Sequence, residues 1–282
     1  MLHFPGAQVS LRGKENASLV VIGAHHFGGD PNDPIFRSVR SITWQGVILL
    51  EASPPVSREL RKLWKGGGDT ASFATPADDV HIVNAGVCTK DAKGALPFYS
   101  FVGNNSFAEE ADGLLKRQVG GHDGLPYWRT QIGSFDGSFV MKWSEHMLRK
   151  YTSLGPDRVL PPLMNRYVKV ENVRCHSLER VLRHPGLRGG RPALLVIDTE
   201  SLDCRIVASH DWCEPDRSPE ILIFEHIHCS TSDFQAAKER LSLKTCEHAR
   251  DQYVLRARER ENVLFVRQPL AAGTGAGSSK VR

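Results

Sequence analysis

Apolar residues in this chain gather into short unbroken runs, each closed by glycine, proline or an acid. Residues 17–22, 46–51, 193–198 and 220–225 are such runs, and each reads as a strand buried on both faces. Residues 80–87 and 96–102 read as a third and a fourth strand along the chain. Between them the apolar spacing turns helical. Pro34 opens a segment with Ile35, Val39 and Ile42 on one face. Residues 56–64 place Leu60 and Leu63 inward, and 138–151, 177–182, 203–208 and 232–243 read as further helices. Residues 167–174 alternate loosely and predict an edge strand. Residues 253–255 and 262–266 predict a closing antiparallel pair. Strands alternating with helices in this way predict an α/β fold, a doubly wound sheet that is mixed at one edge.

The polar stretches divide the chain. Residues 1–16 are mixed in character and predict an N-terminal arm before a domain at 17–268. Residues 103–165, too long for a plain loop, predict an insertion or lid. Residues 269–282 are rich in Gly, Ala and Ser and predict a disordered tail. The net charge of +4 is spread along the chain, so no concentrated basic stripe points to nucleic acid. No run is long enough to span a bilayer, and no secretory signal is visible. A cytoplasmic protein is the expectation, with an anchor lost upstream kept open. The six cysteines form no CxxC pair, and their scatter predicts free thiols in a reducing compartment. Oligomeric state is left open.

Candidate chemistry lies where strands end. Gly23 opens a glycine turn after the first strand, which lets backbone approach a ligand. Glu51 closes the second strand, where an acid can accept both hydroxyls of a ribose. Asp198, Glu200, Glu225 and His226 follow two later strands. As neighbours, those strands would bring a carboxylate base or a cation-holding pair into one crevice. The plainer reading of Asp198 and Glu200 is helix capping, with Thr199 or Ser201 helping; that of His226 is a hydrogen-bonded structural histidine. His226 and His228, two apart on an extended segment, face opposite ways, and adjacent His25 and His26 do not share a site, so no metal is expected. Trp128, Phe135, Trp143 and Tyr151 either line a pocket under the lid or pack in the core.

Several of these segments, taken in order, resemble the FkbM-type branch of the S-adenosylmethionine-dependent methyltransferases. They are Val21-Ile22-Gly23-Ala24 with Gly-Asp-Pro at 29–31, Trp44 to Pro54 around Glu51, and Val83-Asn84-Ala85-Gly86-Val87. Ser134-Phe135-Asp136, Leu194 to Asp203 and Ile221 to His226 complete the set. The resemblance covers about residues 18–267. It implies a Rossmann-like class I methyltransferase fold that binds S-adenosylmethionine and methylates a hydroxyl of a sugar, polyketide or other metabolite. It implies Gly23 and Ala24 beside the methionine part of the cofactor, Glu51 at the ribose, and Asn84 and Ala85 near the adenine. Asp198 and Glu200 would floor the transfer site, with Glu225 and His226 in support. The partner implied is a small-molecule or glycan acceptor. His25, His26 and Phe27 depart from the family's first loop, and Ser201 stands where many relatives carry glycine. A non-catalytic binding module on the same fold is the competing reading. A nicotinamide-dependent enzyme is a third, opposed by the lack of G-x-G-x-x-G.

Overall fold

The computed structural model describes residues 2–4, 7–9, 17–25, 39, 42–65, 74–89, 94–101, 132–151, 168–188, 191–214, 216–242, 246 and 251–269. Along the chain the elements run β1 (Leu2–Phe4), β2 (Ala7–Val9), β3 (Ser18–Ile22), β4 (Gly46–Leu50), α1 (Pro54–Lys65), β5 (Val80–Val83), β6 (Gly86–Cys88), β7 (Ala95–Phe101) and β8 (Gly133–Ser134). There follow α2 (Gly137–Tyr151), β9 (Val168–Ser177), α3 (Leu178–Leu182), β10 (Leu194–Ile197), α4 (Asp203–Ser209), β11 (Ile221–Glu225), α5 (Thr231–Leu241), β12 (Asp251–Arg258) and β13 (Asn262–Pro269).

The main sheet has seven strands in the order β12-β13-β11-β10-β3-β4-β5. Five of them, β5-β4-β3-β10-β11, are mutually parallel. β13 runs antiparallel to β11, and β12 antiparallel to β13, which bears out the expected closing pair. The result is a mixed α/β architecture.

The unbroken apolar runs have a direct cause, because successive side chains point to opposite faces and both faces are covered. Leu19, Val21, Val47, Leu49, Leu194 and Val196 pack on one side with Leu60 and Trp64 of α1. Val20, Ile22, Ile48, Leu50, Leu195 and Ile197 pack on the other with Val181 of α3, Ile206 of α4 and Leu241 of α5. Each such side chain contributes roughly 1.5–3 kcal/mol when fully buried, so the strand interiors are apolar and buried Ser18, at the start of β3, donates to the Arg188 carbonyl. Leu2 and Phe4 of the β1–β2 hairpin join the first cluster, so part of the expected N-terminal arm is core.

A second sheet, ordered β6-β9-β7-β8, departs from expectation. The predicted strand at 80–87 breaks at Asn84-Ala85: β5 stays in the main sheet and β6 leaves it. Asn84 makes the break by donating from Nδ2 to the carbonyls of Glu51 (2.9 Å) and Ala52 (3.0 Å). β7 belongs to this second sheet. β9 agrees with the expected edge over Val168–Arg174, which pairs antiparallel with β7 alone among the described residues, and its extension Cys175–Ser177 pairs in parallel with β6. The helix expected around Ile35 and the tail at 270–282 lie mostly or wholly outside the described residues, as does the 103–165 insertion except for 132–151.

The cysteines overturn the expectation of free thiols. All six are paired: Cys88–Cys175, Cys204–Cys229 and Cys213–Cys246, with Cα–Cα distances of 5.8, 6.0 and 5.6 Å. The partners are 87, 25 and 33 residues apart, so the fold rather than local spacing brings them together. No helix among the described residues is long and apolar enough to cross a membrane.

Candidate functional site

The carboxyl ends of the five parallel strands carry almost every residue singled out above. β3 and β10 are neighbours at the centre, and their onward connections lead to opposite sides of the sheet. In an open sheet this switch point opens a crevice beyond the strand ends. Gly23 and Ala24 leave β3 here, and both backbone amides donate to the Leu50 carbonyl, at 3.0 and 2.9 Å. Gly23 has φ 74, and a Cβ on it would stand 1.4 Å from the Asp198 carbonyl oxygen. Its glycine therefore serves the close approach of β3 to β10.

Glu51 sits at the end of β4, 6% exposed. Its Oε2 accepts from the His25 amide (2.8 Å) and its Oε1 from the Ser53 amide (2.6 Å). The carboxylate thus clamps the glycine turn to the end of β4, while each oxygen keeps acceptor capacity. Burial, with a smaller contribution from Asp198, pushes its pKa up to about 7 against the two amide hydrogen bonds. Asn84 uses its amide hydrogens on backbone, as described, and Ala85 is buried. His26 and Phe27, two of the departures in the first loop, lie outside the described residues.

Asp198 follows β10 directly and is exposed; its amide donates to the Ile22 carbonyl (2.9 Å). The capping reading of Asp198 and Glu200 is not met. The N-cap of α4 is Leu202, with no side-chain capping bond. Buried Asp203 instead accepts from the Thr199 amide (3.0 Å) and hydroxyl (3.1 Å), which folds the 199–203 turn. That turn is strained: Glu200 has φ 53 and Ser201 φ 106. Ser201 Oγ lies 3.1 Å from Ser134 Oγ, tying the turn to the second sheet.

Glu200 and Glu225 converge, whereas His226 does not join them. The His226 amide donates to the Glu261 carbonyl (2.7 Å), and its Nε2 lies 2.9 Å from the Glu259 carbonyl. It braces the β12–β13 hairpin, which favours its plainer structural reading. His228 takes the place beside the acids instead. The chain after β11 turns rather than staying extended, so the alternation assumed for 226–228 does not apply. His228 Nε2 lies 3.5 Å from Glu200 Oε2 and 3.8 Å from Glu225 Oε1. Phe139 and Trp143 of α2 pack edge-on against its ring, with centroids 4.9 and 5.0 Å away. Phe135 packs on Phe98, 5.2 Å between centroids. The spacing Glu225-x-x-His228 across a turn was the one sequence signal for His228. Nothing local announced Phe139.

The electrostatics follow from crowding. Burial first, then Asp198 and the neighbouring acids, raises the pKa values of Glu200, Glu225 and Asp203 well above the carboxylate range. Burial, then Lys142, lowers that of His228. Such a cluster holds protons, or a cation, at neutral pH. A cavity of about 270 Å³ lies at the other end of the sheet, lined by Arg191, Glu220, Asp251 and Arg267 among others. Its charges pair with one another, Arg191 with Glu220 (2.6 Å) and Arg267 with Asp251 (3.1 Å), and it has no part in the strand-end chemistry.

No family model and no curated protein matches the chain. A solved structure described as methyltransferase FkbM from Methylobacillus flagellatus KT is similar at 11% identity, with a TM-score of 0.39. The match covers 89% of this chain but 43% of that one, so this chain spans less than half its length. A likeness so distant assigns no activity.

Proposed function

We propose that the chain is an S-adenosylmethionine-dependent methyltransferase of class I, doubly wound architecture, acting on a hydroxyl acceptor. The observation that carries this reading is the strand order β5-β4-β3-β10-β11, with Gly23 and Glu51 flanking its switch point. In chain order it is the 3-2-1-4-5 arrangement of nucleotide-binding sheets. The sequence resemblance around Glu51 and Asp198 supports it.

The residues fit the cofactor. Glu51 is held rigid by two backbone amides and keeps lone pairs for the ribose hydroxyls. Half-buried Gly23 offers a surface without bulk to the methionine part and half-buried Asn84 borders the adenine side, whereas Ala24 and Ala85 are buried. The cofactor, when bound, supplies an electrophilic methyl group. The chain supplies alignment, which provides much of the rate, and a base for the acceptor proton. Asp198, exposed at the end of β10, would take the proton that the acceptor hydroxyl gives up. Glu200 and Glu225 orient the acceptor. The acceptor is a small molecule or glycan.

Isothermal titration tests the reading. S-adenosylmethionine or its demethylated product binds the wild-type chain, and Glu51→Ala weakens binding tenfold or more. Absence of binding to folded wild-type protein overturns the proposal in favour of a non-catalytic module. Asp198→Asn should bind cofactor normally while losing about 10²–10⁴-fold in rate. Three disulfides favour an oxidising compartment over the expected cytoplasm. Six titratable thiols in the unreduced, denatured chain would remove that assignment.

A further inference from the structure

Glu200, Glu225 and His228 each offer one ligand atom, and the three atoms lie within 4.8 Å of one another. The His228 Nε2 distances of 3.5 and 3.8 Å are too long for hydrogen bonds. The three groups face one point without bonding to each other. A tetrahedral ion with bonds of about 2.0–2.1 Å sets its ligand atoms roughly 3.3 Å apart. The two His228 distances of 3.5 and 3.8 Å approach this, and the carboxylate pair lies within 4.8 Å.

A second observation is independent of the clustering. Glu225 is 9% exposed, and its Oε2 is buried with no hydrogen-bond partner among the described residues. Buried carboxylate oxygens are rarely left so, because lost hydration is not replaced. The oxygen belongs to the side chain whose Oε1 lies 3.8 Å from His228 Nε2, and an ion bound through both carboxylate oxygens would supply the missing partner.

The surroundings hold the three ligands in place. The Cys204–Cys229 disulfide fastens the residue next to His228 to the start of α4. Phe139 and Trp143 wall the imidazole on the α2 side. Glu200 is aimed by the positive-φ turn at 200–201. Asp198, Asp203 and Glu261 add negative charge around Glu200, and Lys142 opposes it near His228.

We infer that Glu200, Glu225 and His228 form a binding site for a divalent first-row transition-metal ion, with a coordination position left open to the crevice. One imidazole nitrogen with two carboxylates suits Zn²⁺ or Mn²⁺ better than Ca²⁺ or Mg²⁺, which favour all-oxygen sets. Three protein ligands leave room for water or an acceptor oxygen. The site stands on its own geometry and does not depend on the methyl-transfer reading.

The test titrates Mn²⁺ into the metal-stripped full chain with its disulfides intact. Calorimetry and the loss of the free-ion paramagnetic resonance signal report binding, and Zn²⁺ serves as competitor. One ion per chain is expected, displaced by Zn²⁺. Glu225→Gln and His228→Gln each weaken Mn²⁺ binding tenfold or more while keeping the wild-type circular dichroism spectrum. Glu200→Gln, at a more exposed position, does the same and serves if either of the others fails to fold. No Mn²⁺ binding by the wild type at millimolar concentration, or binding unchanged in the folded variants, overturns the inference. A parallel S-adenosylmethionine titration keeps the two readings apart. Cofactor binding without metal binding refutes only this site, and metal binding without cofactor binding refutes only the methyltransferase.

Discussion

Replacing Glu51 by glutamine should change how stability depends on pH. The carboxyl is buried, and its pKa rises from the model-peptide value of 4.5 to about 7 in the folded chain. A raised acid keeps its proton in the native state while the unfolded chain has released it. Its stabilising contribution is therefore complete below pH 4.5 and is lost as pH climbs through 7. A rise of roughly 2.5 pH units corresponds to about 3 kcal/mol across that window. Glutamine cannot titrate, so this slope disappears in Glu51→Gln. Glutamine also has one acceptor oxygen for the two amides of His25 and Ser53, which adds a pH-independent loss of about 1–3 kcal/mol. Denaturant unfolding of both proteins, with disulfides intact, at intervals from pH 4 to 8 measures the difference directly. The Glu200 and Glu225 titrations are common to both proteins and cancel to first order. Wild type should lead by about 1–3 kcal/mol at pH 4.5, and the difference should move against it by about 3 kcal/mol by pH 8. A difference that stays flat with pH would refute the argument that burial governs Glu51.

Gly23→Ala drives a methyl group into the Asp198 carbonyl at a position with φ 74, and should cost about 3 kcal/mol or more in denaturant unfolding; a change under 1 kcal/mol would refute the close approach of β3 to β10. Ser201→Gly should be more stable than Ser201→Ala by about 1 kcal/mol, because both lose the contact to Ser134 and only glycine relieves φ 106. The double variant Cys204→Ser, Cys229→Ser opens a link between residues 25 apart and should lower stability by roughly 3.5 kcal/mol, read from the unfolding midpoint.

Much of the main sheet was legible in the chain. The runs at 17–22, 46–51, 193–198 and 220–225 are unbroken apolar stretches through their middle positions because both faces are buried, and that demand leaves a local mark. The same holds for α1 and α5, whose inward residues repeat at helical spacing, and for the acids and glycine at strand ends. Other features depend on partners distant in sequence. The one-sided pairing of 168–174 left a mark as loose alternation, but the extension of β9 through Cys175–Ser177 depends on β6, which is distant in sequence. The cysteine pairs, up to 87 residues apart, have no local signature. His226 and His228 carry the same side chain two positions apart. The turn after β11 sends one to the β12–β13 hairpin and the other to Glu200 and Glu225. Periodicity and residue type determined which segments became strands and helices, since those depend on neighbours a few positions away. Only the tertiary structure decided which side chains meet, because pairing depends on how separate segments pack.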